Sequence, residues 1–460
     1  MDFPQKENYI NLTTNKPLID FKKYYEDTTF VCEAFNIIAI ENERYKLPTR
    51  NLVSEIWTRS MGFIVPKNEL DMWRYSTWIF KRHYKYILDY SDENRKVADK
   101  IKKKGKSRGE LLKNSYEYVR DKWDTGISGL FFITDRLGEL MKEKELTQTE
   151  KSIMLCSIYK YQKIDAEVVW VCSDNSHYSP FANFPSLRMF DYSLVYVPEE
   201  KLYLDPSDKA AEFGVLSESL SDRFMCRPMD EIDIIDKTPK INKYEAVLVN
   251  LDLFLSDENI ITGNGTVSFN NQAALVARRV YRTEGINSFK EYINETIFEE
   301  IEDAISVVNV YPDSLQTANE FSVDVEIETD KYKSDPGDDF NLQLYVGPTV
   351  SEAVLDFNPP RKYPLYFGTK KHFISMINWH LGEGYAPFEN ENVNIHVKDG
   401  LTKYSLISDY NKESNIISIK REYRIHKKMF AETYSRAFER FFDKVKNGDL
   451  TSILLEPKAN

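Results

Sequence analysis

Gly105-Lys-Ser107-Arg-Gly109 matches the G-x-S-x-G spacing that holds a serine nucleophile on a strand-to-helix turn. That chemistry needs an apolar strand just before the serine, and Ile101-Lys-Lys-Lys stands there instead. With Glu110 three residues on, Ser107 reads as a helix N-cap in a capping box. Gly105-Lys106-Ser107 also copies the end of a phosphate-binding loop, but Lys100 occupies the place of the first glycine. Asp335, Asp338 and Asp339 lack the oxygen spacing of an EF-hand and fit a Pro-Gly turn. Cys172 and His177 have no further ligand nearby, so they define no metal site. Neither G-x-G-x-x-G nor H-E-x-x-H occurs. Asp191, Asp205, Asp208 and His177 could still meet as acid/base or metal-binding groups if the fold clusters them.

These residues sit in a chain of 460, long enough for two or three domains with their own cores. A net charge of −12 argues against a nucleic-acid partner, which requires a basic face. The local patch Lys102-Lys103-Lys104 with Lys106 reads as a solvated loop or helix face. No run of 18 apolar residues is present, so no transmembrane helix is expected. Met1-Asp-Phe-Pro-Gln-Lys is not a secretory signal, so the expectation is either a cytoplasmic protein or a mature or truncated chain. Cys32, Cys156, Cys172 and Cys226 form no C-x-x-C pair, so neither a zinc site nor a disulfide framework is legible, and no cofactor is expected. Cys156 lies in an apolar run and reads as a small core residue. The 29 Tyr and 27 Phe suit β-rich domains and binding surfaces.

A helix is expected from about Leu70 to Tyr90, with Met72, Ser76, Ile79, His83 and Ile87 at helical spacing and His83 packed rather than ligating. Residues 91–165 read as helical. Leu112, Tyr116, Val119 and Trp123 make one stripe, and a second capping box, Thr147-Gln-Thr-Glu150, opens a nearly all-apolar helix. Strands follow at Ala166–Val171, Tyr192–Val197 and Lys201–Leu204, and the stretch from Cys226 to Pro239 reads as a linker. Period-2 alternation at Phe321, Val323, Val325 and Ile327, at Val393, Ile395 and Val397, and at Ile417, Ile419, Tyr423 and Ile425 predicts sheets with one wet face. Helices are expected within 271–300 and from about His426 to Lys446, the latter with Phe430, Tyr434, Phe438, Phe441 and Val445 on one face. The class is therefore α+β.

Two segments resemble the transglutaminase-like superfamily. Thr147 through Ala166, leading into Glu-Val-Val-Trp-Val171, is similar to that family's helix beginning at a catalytic Cys and ending in a Gly-containing turn before a buried strand. Pro185 through Val197, then Leu202-Tyr-Leu-Asp205-Pro-Ser, is similar to its Phe-Asn-His strand and Leu-Asp-Pro-Thr strand end. Lys163 replaces the family's Gly. The resemblance puts Gln148 at the Cys position, Tyr192 at the His position and Asp205 at the Asp position. No Cys lies between Cys32 and Cys156 and no His between His177 and His372, so a slip of a few residues restores neither partner. In the family pattern, the helix dipole and an imidazole activate a thiol, and the Asp orients the imidazole. An amide is no nucleophile, and a phenol with a pKa of about 10 is a poor base at neutral pH.

Gly263-Asn-Gly-Thr, Ala277-Arg-Arg-Val-Tyr281 and Asn358 through Gly368 resemble the C-terminal region of bacterial proteins of unknown function. In those proteins a transglutaminase-like core lies between β-rich domains. The resemblance implies a transglutaminase-like (papain-like) core followed by an antiparallel β-rich domain with added helices. The division it implies is 1–90, the tail of a β-rich domain plus a lead-in helix; 91–225, the core; and 240–460, a β-rich region ending in a helix. It also implies export to the periplasm or cell exterior, and an N-terminal domain and signal peptide outside this chain. The functional expectation is a catalytically degenerate protein that binds or scaffolds a peptide, glycan or protein partner. The alternatives are an amide hydrolase or acyltransferase using non-standard residues, and a structural surface-assembly module.

Overall fold

The computed structural model describes residues 9–13, 20–26, 29–35, 43, 45–48, 55–59, 69–88, 92–105, 107–126, 137–174, 187–230, 233–256, 260–298, 305–310, 317–330, 340–347, 361–388 and 392–458. The chain divides into two compact units, residues 1–241 and 242–460. Helices and sheets occur in both, so the class is mixed α+β. His177 and the Asp335, Asp338 and Asp339 cluster lie outside the described residues, as do the side chains of Ile79, His83 and Ile87.

The first unit begins with β1 (Tyr9–Thr13), β2 (Asp20–Glu26), β3 (Thr29–Phe35) and β4 (Glu55–Arg59). β1 pairs with β4 and β2 with β3. Then come α1 (Glu69–Leu88), α2 (Asp92–Lys104), α3 (Arg108–Lys122), β5 (Asp124–Thr125), α4 (Leu137–Leu140), β6 (Glu145–Leu146) and α5 (Gln148–Tyr161). The strands β7 (Glu167–Val171), β8 (Tyr192–Val197), β9 (Leu202–Leu204), β10 (Phe224–Cys226) and β11 (Ile235–Lys237) form an antiparallel sheet in the order β11-β10-β7-β8-β9.

Both capping boxes form. Ser107 and Thr147 each accept from the backbone N–H three residues on, and Glu110 and Glu150 bond back to the cap N–H. Each cap contributes about 1 kcal/mol. α5 is buried at Thr149 and from Lys151 through Tyr159, as its nearly all-apolar run requires. β7 is buried on both faces. Val168 and Trp170 join the large core with the helices, with Phe80 edge-on to Trp170 at 4.5 Å, while Val169 and Val171 pack with Leu194, Leu220 and Met225 in a smaller core. Continuous apolar strands are what two covered faces demand.

The stretch from Cys226 to Pro239 is not a linker. It holds β11 and its pairing with β10, and Arg227 ties it to Glu167 at 2.7 Å. Proline and acidic residues there mark a hairpin loop rather than a domain boundary.

The second unit contains β12 (Tyr244–Leu255), β13 (Ile261–Asn270), α6 (Gln272–Ile297), β14 (Ile305–Val310), β15 (Glu320–Thr329), β16 (Phe340–Gln343), β17 (Leu365–Tyr366), β18 (Lys370–Leu381), β19 (Tyr385–Pro387), β20 (Asn394–Lys398), β21 (Thr402–Asn411), β22 (Ile416–Ile425), β23 (Met429–Phe430), α7 (Ser435–Asp449) and β24 (Ser452–Pro457). Eight strands form one sheet, β14-β15-β13-β12-β18-β22-β21-β20, antiparallel except where β12 meets β18. The alternating residues of β15 and β22 face its core. α6 covers β12 to β15 and bends at Gly285, whose φ of 88° is left-handed. The expected helix from His426 starts at Ser435 instead. Phe430 pairs with Leu365 in a short β17–β23 ladder, and its spacing to Phe438 only imitates helical period. Phe438, Phe441 and Val445 are the buried side of α7. Among the described residues, no helix is long and apolar enough to cross a membrane.

Candidate functional site

β8 and β9 are antiparallel, with Val195 opposite Leu204. The first residue of β8 and the residue after β9 therefore lie at the same end of the sheet. These are Tyr192 and Asp205, and the Tyr192 phenol donates to Asp205 Oδ2 across 2.7 Å. Asp205 Oδ1 accepts from the Ser207 hydroxyl at 2.6 Å and the Ser207 N–H at 3.0 Å. Both carboxylate oxygens are thus occupied from within the chain.

The α5 N-terminus comes to the same place. Thr149 Oγ1 lies 3.3 Å from Ser193 Oγ, so the residues following Gln148 and Tyr192 touch. Gln148 is the first residue of α5, directly after its Thr147 cap. Its side-chain oxygen is buried with no hydrogen-bond partner, and no hydrogen bond joins it to Tyr192 or Asp205. The fold brings all three positions to one region but connects only two of them.

Burial pushes the Asp205 carboxyl up to about 6, with Asp208 adding to the rise and the bonds from Ser207 and Tyr192 opposing it. Burial and the neighbouring Asp205 carboxylate also hold the Tyr192 phenol well above its ordinary value. Both effects favour neutral, proton-bearing groups, so at neutral pH Tyr192 is a donor and not a base.

Three residues to which the sequence argument gave no role at the site complete it. Tyr116 on α3 donates to the carbonyls of Asp205 and Ala211, at 3.0 and 2.9 Å, and fixes the loop after β9. Lys151, one turn after Gln148, is fully buried and donates to the carbonyls of Arg120 and Trp123 at 3.2 and 2.8 Å and to Thr125 Oγ1 at 3.0 Å. Burial and Lys209 pull its ammonium down to about 8. Three acceptors hold the proton against that pull, and two of them are the α3 C-terminal carbonyls, so Lys151 acts as a helix cap. Ser207 stands in Leu-Asp-Pro-Ser two residues past Asp205, but its bond to that carboxylate depends on how the loop after β9 falls. Lys151 gave no signal, because lysine in an apolar helix is indistinguishable from a solvated one until the partner carbonyls are placed.

The other acids are spent elsewhere. Asp191 accepts from the Ser173 N–H at 2.7 Å and its hydroxyl at 2.5 Å, and Asp208 accepts from the Ala210 N–H at 2.9 Å. Cys156, Cys172 and Cys226 are buried, and none of the three is in a disulfide. Burial pushes the Cys156 thiol up to about 12, which leaves no thiolate at neutral pH. Ser107 is the N-cap of α3. Among the described residues, no group of three or more His, Cys, Asp or Glu is placed to hold a metal ion.

No protein-family model and no curated protein matches the chain. Among solved structures, the chain is similar to the crystal structure of "a putative protease" from Parabacteroides distasonis ATCC 8503, with a TM-score of 0.57 and 10% sequence identity. The likeness covers 98% of this chain and 70% of that one. At such low identity it is a likeness of fold.

Proposed function

We propose that the first unit is a transglutaminase-like (papain-like) core whose catalytic positions are degenerate, and that the protein binds or scaffolds a peptide, glycan or protein partner. The observation that carries this reading is the closed Tyr192–Asp205–Ser207 cluster. In an acyl-transfer site the acid turns an imidazole toward a thiolate at a helix N-terminus. Here a phenol takes the imidazole's place with its proton committed to Asp205, and Gln148 offers an amide where the thiolate would stand. The cap, the helix and the strand ends are kept, while the groups that move electrons are not. The likeness to a solved structure at 10% identity bears on the architecture alone.

The reading is tested by assaying amide hydrolysis and acyl transfer on broad peptide libraries with the full chain. The expected result is no turnover. Turnover that persists in Cys156→Ala and Cys172→Ala but disappears in Asp205→Ala or Tyr192→Phe would overturn it. Gln148→Cys with Tyr192→His supplies the positive arm. If the geometry is that of the family, the new thiol alkylates with iodoacetamide faster than the same cysteine beside Tyr192.

A second reading, an amide hydrolase using non-standard groups, draws on Asp205 and Lys151, which are both displaced toward neutrality. It expects a bell-shaped pH–rate profile between about 6 and 8, set by those two groups.

A further inference from the structure

Outside the candidate site, α2 and α3 enclose a groove of about 620 Å³. Ile101 is buried on its α2 side, and Val97 and Tyr118 are half-buried. Lys100 and Lys104 line the same α2 side and are exposed. Val97, Lys100, Ile101 and Lys104 follow the spacing that keeps side chains on one helix face.

The charges around this groove are unevenly matched. Its two acids have partners within α3: Glu117 lies 3.7 Å from Lys113, and Asp121 accepts from Arg120 at 2.6 and 3.0 Å. The Lys122 ammonium donates to the Tyr118 hydroxyl at 3.2 Å and sits 4.8 Å over the Trp123 ring. Among the described residues, neither Lys100 nor Lys104 has a carboxylate partner. An apolar floor therefore borders two uncompensated cations one turn apart, which complements a ligand that is apolar along its length and anionic at one end.

The length of the groove selects the ligand class. Val97 to Lys104 spans about 10 Å of helix axis, the length of an extended medium-chain acyl group. A docked partner helix would cover only two turns here, far below the area a specific protein interface buries. We propose that the α2–α3 groove binds a medium-chain carboxylate, with the hydrocarbon chain on Val97, Ile101 and Tyr118 and the head group between Lys100 and Lys104. The site is independent of whether Tyr192 and Asp205 are catalytic.

The test is calorimetric titration of the full chain with octanoate, octyl glucoside and acetate. Saturable octanoate binding at one site is expected, with octyl glucoside and acetate at least tenfold weaker. The exposed charge reversal Lys100→Glu/Lys104→Glu should weaken octanoate at least tenfold, and Val97→Trp, which puts an indole across the apolar floor, should weaken it likewise. A circular-dichroism melt confirms that each variant is folded. The proposal is overturned by any of four results: no saturable octanoate binding below its micelle concentration, octyl glucoside binding as tightly as octanoate, an affinity unmoved by the charge reversal, or an acidic amphipathic peptide binding the groove where octanoate does not.

Discussion

Tyr192 donates to Asp205 across 2.7 Å while Ser207 takes the other carboxylate oxygen, so the acid at the end of β9 is satisfied without any group from α5. This closure ties the Asp to the strand end, so its ionisation bears directly on stability.

The Asp205 carboxyl is held up to about 6 by burial, above its unfolded value of about 3.9. A raised folded value means stability that is fully present below the unfolded value and lost as pH rises through the folded one. Asp205 should therefore cost the fold roughly 2–3 kcal/mol between pH 4 and pH 7. Asp205→Asn keeps the acceptor for Ser207 and removes the ionisation. The difference between wild-type and Asn unfolding free energies, measured in urea from pH 4 to 7.5, should move in favour of Asn as pH rises. A difference that stays flat across that window would contradict the assignment.

Removing the phenol isolates its share. Tyr192→Phe takes away one of the hydrogen bonds that favour the ionised Asp205, so the carboxyl should climb further above 6. The inflection in the stability-versus-pH curve then shifts upward. An unchanged inflection would mean that the 2.7 Å contact carries little energy.

Lys163 ends α5 in a left-handed conformation, with a φ of 62°. Its N–H bonds to the Lys160 carbonyl at 3.0 Å, and the Ile164 N–H reaches back to Tyr159 at 2.9 Å. That is the Schellman pattern, in which the left-handed position is ordinarily glycine. Lys163→Gly should therefore stabilise the chain by about 0.5–1 kcal/mol, the strain relieved less the entropy that glycine gains when unfolded. A thermal melt that shifts downward would show that the exposed lysine side chain makes a contribution larger than its backbone strain.

Legibility followed the range of the physics. Both capping boxes, the buried α5 and the limits of β8 were readable because each depends on residues within a few positions of one another. The α7 start was misread because Phe430 and Tyr434 continue the aromatic spacing backward, and only pairing with Leu365, 65 positions away, assigns Phe430 to a strand. The β10–β11 hairpin was hidden for the same reason, since Arg227 finds Glu167 across the sheet. At the candidate site the identities of Gln148, Tyr192 and Asp205 were readable. The closure by Ser207 and the burial of Lys151 were not, because both depend on where loops and carbonyls fall in space.

The second unit offers the sharpest energetic test. Arg421 and Asp449 are buried together at 2.8 Å, Tyr404 donates to the same carboxylate at 2.9 Å, and the guanidinium faces the Tyr345 ring at 4.7 Å. The pair links β22 to the end of α7. Two charges taken from water repay their desolvation only when both are present, so deleting one costs more than the pair contributes. Asp449→Ala should destabilise by about 3–5 kcal/mol, because Arg421 is left as an uncompensated buried cation. Arg421→Met with Asp449→Leu should recover most of that loss, since apolar groups of similar volume meet the same aromatic walls. A double-mutant cycle by urea unfolding gives the coupling. If the double variant is as unstable as the sum of its singles, the pair acts as two independent contacts, and the desolvation account of this core fails.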